Sequence, residues 1–187
     1  FSRISRTFNE KMDFTKVSKL ETFYLHTGNA NLELRTKEGV EEIALREGEG
    51  FVVTPGVSYR LNTQDSFLAY TVSSEVKSSE PIIEIIDDGE TKSEVPLPPW
   101  KIIRSPKKVN KPWGHELWVV WTRDYHVMKQ IAMNPDRQSS LQFHREKLET
   151  NTLQEGSAVV IDGYRLNPQA PEEEVQASSR GVDFFQQ

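Results

Sequence analysis

Part of this chain is written twice, and that constrains its fold more than any other feature. Lys19-Leu20-Glu21-Thr22 recurs 128 residues later as Lys147-Leu148-Glu149-Thr150, and a glycine stands six residues past each threonine, at Gly28 and Gly156. A second phrase follows each block in the same order, Tyr59-Arg60-Leu61-Asn62 and then Tyr164-Arg165-Leu166-Asn167. Two ordered matches indicate a duplicated unit, so two related modules are expected. The copies differ in length. Gly28 and Tyr59 are 31 positions apart and Gly156 and Tyr164 only 8, a deficit of 23 that corresponds to a middle hairpin. An eight-strand barrel that loses two central strands exposes long unpaired edges. The favoured expectation is that a complete second module carries further residues between Gly156 and Tyr164.

The texture inside each copy is β. Short runs at residues 21–25, 31–34, 50–53 and 67–72 lie between Gly, Asn, Asp and Pro breaks, the pattern of many short strands in a sandwich or barrel. The best alternation puts Glu21, Phe23 and Leu25 on one face of a strand and Thr22 and Tyr24 on the other. Between the copies, residues 78–99 hold Glu80, Glu84, Asp87, Asp88, Glu90 and Glu94, then Pro96, Pro98 and Pro99. This reads as an acidic, proline-rich linker whose Ile82-Ile83-Glu84-Ile85-Ile86 core retains the ability to pair as an edge strand. The expected division is a first module at 1–78, a linker at 79–99 and a second module at 100–187.

The net charge of -5 gives the chain no general attraction for nucleic acid or anionic lipid, so any phosphate must be caught by a local group of cations. With no cysteine, disulfides and thiolate metal sites are excluded, which fits a reducing cytoplasm. No apolar run is long enough to span a bilayer as a helix, and the expected setting is cytoplasmic. Any metal must use His, Glu, Asp or Gln.

One constellation meets that requirement: Gln142 and His144 are two apart, hence on one face of a strand, and Glu149 follows five later. If the chain turns near Lys147 and returns, amide oxygen, imidazole nitrogen and carboxylate can face one point. Such donors suit a borderline divalent ion, zinc first, with manganese, iron or nickel as alternatives. Lys129, Arg137, Arg145 and Lys147 are the candidate cations for an anionic substrate, and Lys129, which shares strand parity with Val127 and Ile131, is expected to point inward and hold an anion. Arg137, Arg145 and Lys147 are equally at home on a solvated surface paired with an acid.

The motif Gln142-x-His144-x4-Glu149 resembles the first cupin motif, with Gln in place of its first His. Lys111-Pro112-Trp113-Gly114 and Ser140-Leu141-Gln142-Phe143-His144 are similar to the type II mannose-6-phosphate isomerase module, often fused to a mannose-1-phosphate guanylyltransferase. Asn167-Pro168 and Glu174-Val175-Gln176 extend the similarity over about residues 111–176. The first copy resembles cupins through Gly50-Phe51-Val52-Val53-Thr54-Pro55-Gly56, part of the second cupin motif.

The resemblance implies an all-β protein of two tandem cupin barrels, of the double-stranded β-helix or jelly-roll kind. It implies a metal-dependent sugar-phosphate isomerase of the mannose-6-phosphate type, probed through Gln142, His144 and Glu149 as ligands and Lys129, His144 and Glu149 near the chemistry, and a homodimer. The first module departs from the motif, since Tyr59 stands where the last His is expected and Phe14 and Lys16 stand at the positions of Gln142 and His144. With Glu21 the one remaining donor, that module is expected to hold no metal and to have Phe23 and Leu25 filling its interior. Tyr164 makes the same substitution in the second module. These tyrosines support a rival expectation, a non-catalytic cupin that binds a sugar or nucleotide sugar or serves in assembly. Trp118 and Trp121 read as core or interface residues, and His26, His115 and His126 as structural.

Overall fold

The alternation at Leu20 to Leu25 becomes the middle of a sheet. In the computed structural model, which describes residues 2–6, 13–63, 66–76, 82–84, 94–96, 99–122, 125–140, 149–165 and 175–183, every regular element is a β-strand and all pairing is antiparallel. The chain divides into two units, Phe1–Leu141 and Gln142–Gln187.

The N-terminal unit holds three sheets. The first joins β1 (Ser2–Arg6), β8 (Phe67–Ser74), β3 (Leu20–Thr27), β6 (Gly50–Val53) and β11 (Trp100–Ile103) in that order. The second joins β2 (Thr15–Lys16), β7 (Ser58–Asn62), β4 (Ala30–Arg35) and β5 (Val40–Leu45). The third is built on β13 (Gly114–Thr122), flanked by β12 (Lys107–Lys111) and β9 (Ile82–Glu84), with β10 (Glu94–Pro96) beyond β9 and β14 (Val127–Met133) paired to β13. The C-terminal unit holds one pair, β15 (Ser157–Arg165) with β16 (Val175–Asp183). Gly156 to Tyr164, where the second repeat is short, thus opens directly into one uninterrupted strand.

The first eight strands follow a nested rule. β4 pairs β5, β3 pairs β6, β2 pairs β7 and β1 pairs β8, as in a long ribbon folded back on itself. The added pairs β3 with β8 and β4 with β7 divide this ribbon into two sheets. Among the described residues no pairing closes these sheets into a barrel; they are separate layers.

Burial follows strand parity. From the first sheet, Phe23, Leu25, Phe51, Val53, Phe67 and Ala69 point into one core, which they share with Leu32, Leu34, Leu45, Tyr59 and Leu61 of the second sheet. The opposite face of the first sheet supplies Leu20, Tyr24, Val52, Tyr70 and Ile103 to a second core with Val119, Val120 and Met128 of the third. Strand β3 is therefore covered on both faces, and its Leu20, Thr22, Phe23 and Leu25 have no exposed surface. Leu20, Phe23 and Leu25 each contribute roughly 1.5–3 kcal/mol by burial, more than a surface ion pair.

One segment reaches the sheets from sequence that reads as linker, and another from the start of the expected second module. Ile82–Glu84 pairs with Glu94–Pro96 and with Trp121 and Thr122 of β13. Trp100–Ile103 returns to β6 of the first sheet, and Pro99 O accepts from Thr54 N at 2.9 Å and Thr54 Oγ1 at 3.0 Å. Arg104 then donates to Ala44 O at 2.8 Å and to Glu49 Oε2 at 2.6 Å, tying the chain down beyond β11.

Candidate functional site

Around Glu21 and Tyr59, in the module expected to hold no metal, the interior between the first and second sheets is filled. Phe23 stacks on Phe51 with centroids 5.0 Å apart, Phe51 meets Tyr59 edge-on at 5.0 Å, and Phe67 meets Phe23 at 6.3 Å. Glu21 sits at the margin of this packing and accepts a hydrogen bond from the Tyr59 hydroxyl. Burial pushes the Glu21 carboxyl above its ordinary 4.5, against the pull of that bond. The Tyr59 phenol rises above its ordinary 10.0, by burial first and then by the charge and hydrogen bond of Glu21. A phenol held protonated beside one carboxylate and a stack of benzene rings is a donor set that does not fit a divalent ion.

Register removes the other two positions. Thr15 lies opposite Tyr59 and Lys16 opposite Ser58, so Lys16 shares the outer face with Ser58. Phe14 lies on that side, between the Arg35 guanidinium at 4.3 Å and that of Arg60 at 4.5 Å. Arg60 Nε in turn donates to the buried Glu33 at 2.8 Å, and Asn62 Nδ2 donates to the other oxygen of Glu33.

The third sheet presents a different surface. Its inner face packs on the first sheet; its outer face carries Glu116, Trp118 and Trp121 of β13 opposite Ile131, Lys129 and Val127 of β14. Simple alternation would place Trp118 and Trp121 on opposite faces. A β-bulge between Trp118 and Val120 absorbs one residue and puts both indoles on the outer face, half-buried, with centroids 5.2 Å apart. This corrects the expectation of core packing for the pair. The core positions are taken instead by Val119 and Val120.

Lys129 keeps its parity with Val127 and Ile131, but all three lie on this outer face, which corrects the expectation that Lys129 points inward. Its ammonium stands 3.7 Å from the Trp118 ring centroid and 3.7 Å from Glu116 Oε2. The same oxygen accepts from Trp118 Nε1 at 2.8 Å and lies 3.9 Å from Lys111 Nζ. One carboxylate thus organises two ammonium groups and an indole.

Of the remaining candidates, Arg137 is exposed in the turn after β14, where its N–H bonds Asn134 O at 3.3 Å. Glu149 is exposed in the C-terminal unit. Gln142, His144, Arg145 and Lys147 lie outside the described residues. Among the described residues no three His, Asp or Glu side chains converge as a metal site.

His126 has a larger place than its sequence context indicates. Its ring nitrogens lie 2.9 Å from Thr22 Oγ1 and 2.9 Å from Ser74 Oγ, so one imidazole joins the third sheet to two strands of the first. Burial lowers its pKa to about 4. These partners are 104 and 52 positions away in the chain, and no local pattern announces them.

Comparison with known protein families, curated proteins and solved structures finds no match to this chain. What stands is an all-β protein of antiparallel sheets.

Proposed function

We propose that this chain is a tandem jelly-roll protein of the cupin type, with a filled N-terminal module and a C-terminal module that acts on a sugar phosphate. The nested pairing of β1 with β8, β2 with β7, β3 with β6 and β4 with β5 carries this reading, because a ribbon of eight strands rolled into two sheets is the jelly-roll plan. The repeat then transfers that plan to the second module, where Gln142, His144 and Glu149 take the ligand positions. Their amide, imidazole and carboxylate donors suit zinc or a related divalent ion. Such an ion, when bound, supplies Lewis acidity to a substrate carbonyl or enediolate. The reaction class is aldose–ketose isomerisation, with a proton moved between adjacent carbons.

A second reading has its own support: a cupin that binds a sugar or nucleotide sugar without turnover, or that serves in assembly. The Glu21–Tyr59 pair shows how a tyrosine at the last-ligand position can go with a filled interior, and Tyr164 repeats that substitution.

Metal analysis of the purified full chain, together with interconversion of mannose 6-phosphate and fructose 6-phosphate, separates the two. The first reading expects a stoichiometric divalent ion and turnover, both lost in His144→Ala. Sugar-phosphate binding that survives in His144→Ala, with no metal and no turnover in the parent, leaves the second.

A further inference from the structure

The outer face of the second sheet brings together more cations than the acids beside them neutralise. Register sets Lys16 of β2 and Arg35 of β4 on either side of Ser58 of β7, in one row across three strands. Val40 of β5 continues that row, so no acid stands in it. In the next row Arg60 donates through Nε and Nη2 to the buried Glu33, and among the described residues its Nη1 makes no hydrogen bond. Arg35 has Glu42 as its diagonal neighbour on β5, yet its guanidinium reaches the other way, past the small Ser58, to stand 4.3 Å from the Phe14 ring centroid. The Arg60 guanidinium stands 4.5 Å from the same centroid. One ring thus holds two guanidinium groups, of which Glu33 neutralises one. Among the described residues neither Lys16 nor Arg35 forms an ion pair, and both are exposed.

We infer that Lys16, Ser58, Arg35 and Arg60 form a binding site for one phosphate group, free or carried as a monoester on a small molecule, on the outer face of the second sheet. Like charges held close together repel, and an anion between them removes that cost. The Phe14 ring attracts each guanidinium and restricts it in advance, so less side-chain freedom is lost on binding. Three adjacent strands supply an ammonium, two planar guanidinium groups and a hydroxyl, and a phosphate has three terminal oxygens to receive them where a carboxylate has two. The net charge of -5 disfavours a long polyanion and favours one small anion caught locally. The site lies in the N-terminal module and is independent of the sugar-phosphate reading: a missing metal or absent turnover in the C-terminal module leaves it intact.

Amide chemical shifts of the isotope-labelled full chain, titrated with inorganic phosphate at constant ionic strength, test it at the level of single residues. Saturable shifts should appear around Phe14, Arg35 and Ser58. The apparent affinity should fall roughly tenfold in Arg35→Met and in Lys16→Met, and should not change in Arg46→Met, at an exposed arginine beyond β5. Methionine keeps the hydrocarbon that covers Phe14 and removes the charge, so an arginine with a packing role alone predicts unchanged affinity. Arg35→Lys retains the charge, lacks the planar fork and should fall between wild type and Arg35→Met. Absence of saturable shifts at these residues overturns the site, as does unchanged affinity in Arg35→Met; acetate binding as tightly as phosphate overturns the ligand class. Glycerol phosphate titrated in the same way separates the two sources: matching affinity assigns the site to monoesters as well, and binding of inorganic phosphate alone assigns it to the free ion.

Discussion

Lys-Leu-Glu-Thr occurs in two places, and the described residues of the two share the turn that follows but differ in burial. Gly28 and Gly156 both adopt the left-handed region, at φ 86° and 84°. At Gly28 an added Cβ would lie 2.5 Å from Ser66 O, whereas at Gly156 it would meet nothing within 4 Å. In the first copy Leu20 and Thr22 are fully buried and Glu21 is held by Tyr59. In the second, Glu149 and Thr150 are exposed. The turn is a property of six local residues; the burial is a property of the strands on either side. A repeated phrase therefore carries conformation from one copy to the other, but not environment, and a glutamate that is a packing element in one can be a ligand in the other.

The largest way to break this contrast is to empty the filled module. Phe23→Ala should cost about 3–5 kcal/mol in urea unfolding, through lost burial and a cavity beside Phe51 and Phe67. Ile131→Ala on the open face of the third sheet should cost about 1 kcal/mol or less in the same assay. Equal losses would mean that the two surfaces do not differ as described.

Next in size is the imidazole between the first and third sheets. His126 has its folded-state pKa lowered from 6.5 to about 4 by burial, so the unfolded chain takes up the proton first as pH falls. Its contribution is intact above about pH 6.5 and is lost between there and pH 4, amounting to roughly 3 kcal/mol. His126→Gln should flatten stability over that window, and an unchanged slope would remove His126 as its source.

A smaller effect is expected at the pair that replaces the first metal site. Tyr59→Phe leaves the half-buried Glu21 carboxylate without its donor and should cost about 1.5–2 kcal/mol. Because the Glu21 pKa is raised, the folded state holds that proton more tightly, and the stability it brings is lost as pH rises through the folded value. Glu21→Gln should remove this component while retaining an acceptor for the tyrosine. The smallest effect is expected at the matching residue of the second copy. Glu149→Ala should leave stability within about 0.5 kcal/mol while removing the divalent ion that the proposed function requires. A large loss of stability there would show that Glu149 is a structural residue like Glu21.

Much of the N-terminal unit was legible in advance. The period of two at Leu20 to Leu25 assigned Phe23 and Leu25 to one face and Tyr24 to the other, and the two cores divide along that line. The parity of Lys129 with Val127 and Ile131 was legible for the same reason, but not that this face is the outer one, because which side of β14 is covered depends on the packing of the third sheet on the first. Trp118 and Trp121 were not, because a bulge is a one-residue irregularity that no alternation rule registers. Phe14 and Lys16 were aligned with a ligand pair by spacing alone, and the register of β2 on β7 turned Lys16 outward. The candidate metal ligands were legible as a motif, but their convergence depends on residues outside those described.

By itself the sequence determined the all-β character, the two faces of β3 and the turn at each repeated glycine, since all of these follow from local steric and hydrophobic periodicity. Tertiary structure decided which faces are covered. It brought Trp100–Ile103 back to β6, gave the first sheet a layer on each side, and joined His126 to Thr22 and Ser74. Those outcomes depend on contacts between residues tens of positions apart, where the free energy of packing whole sheets outweighs anything a short stretch of sequence can express.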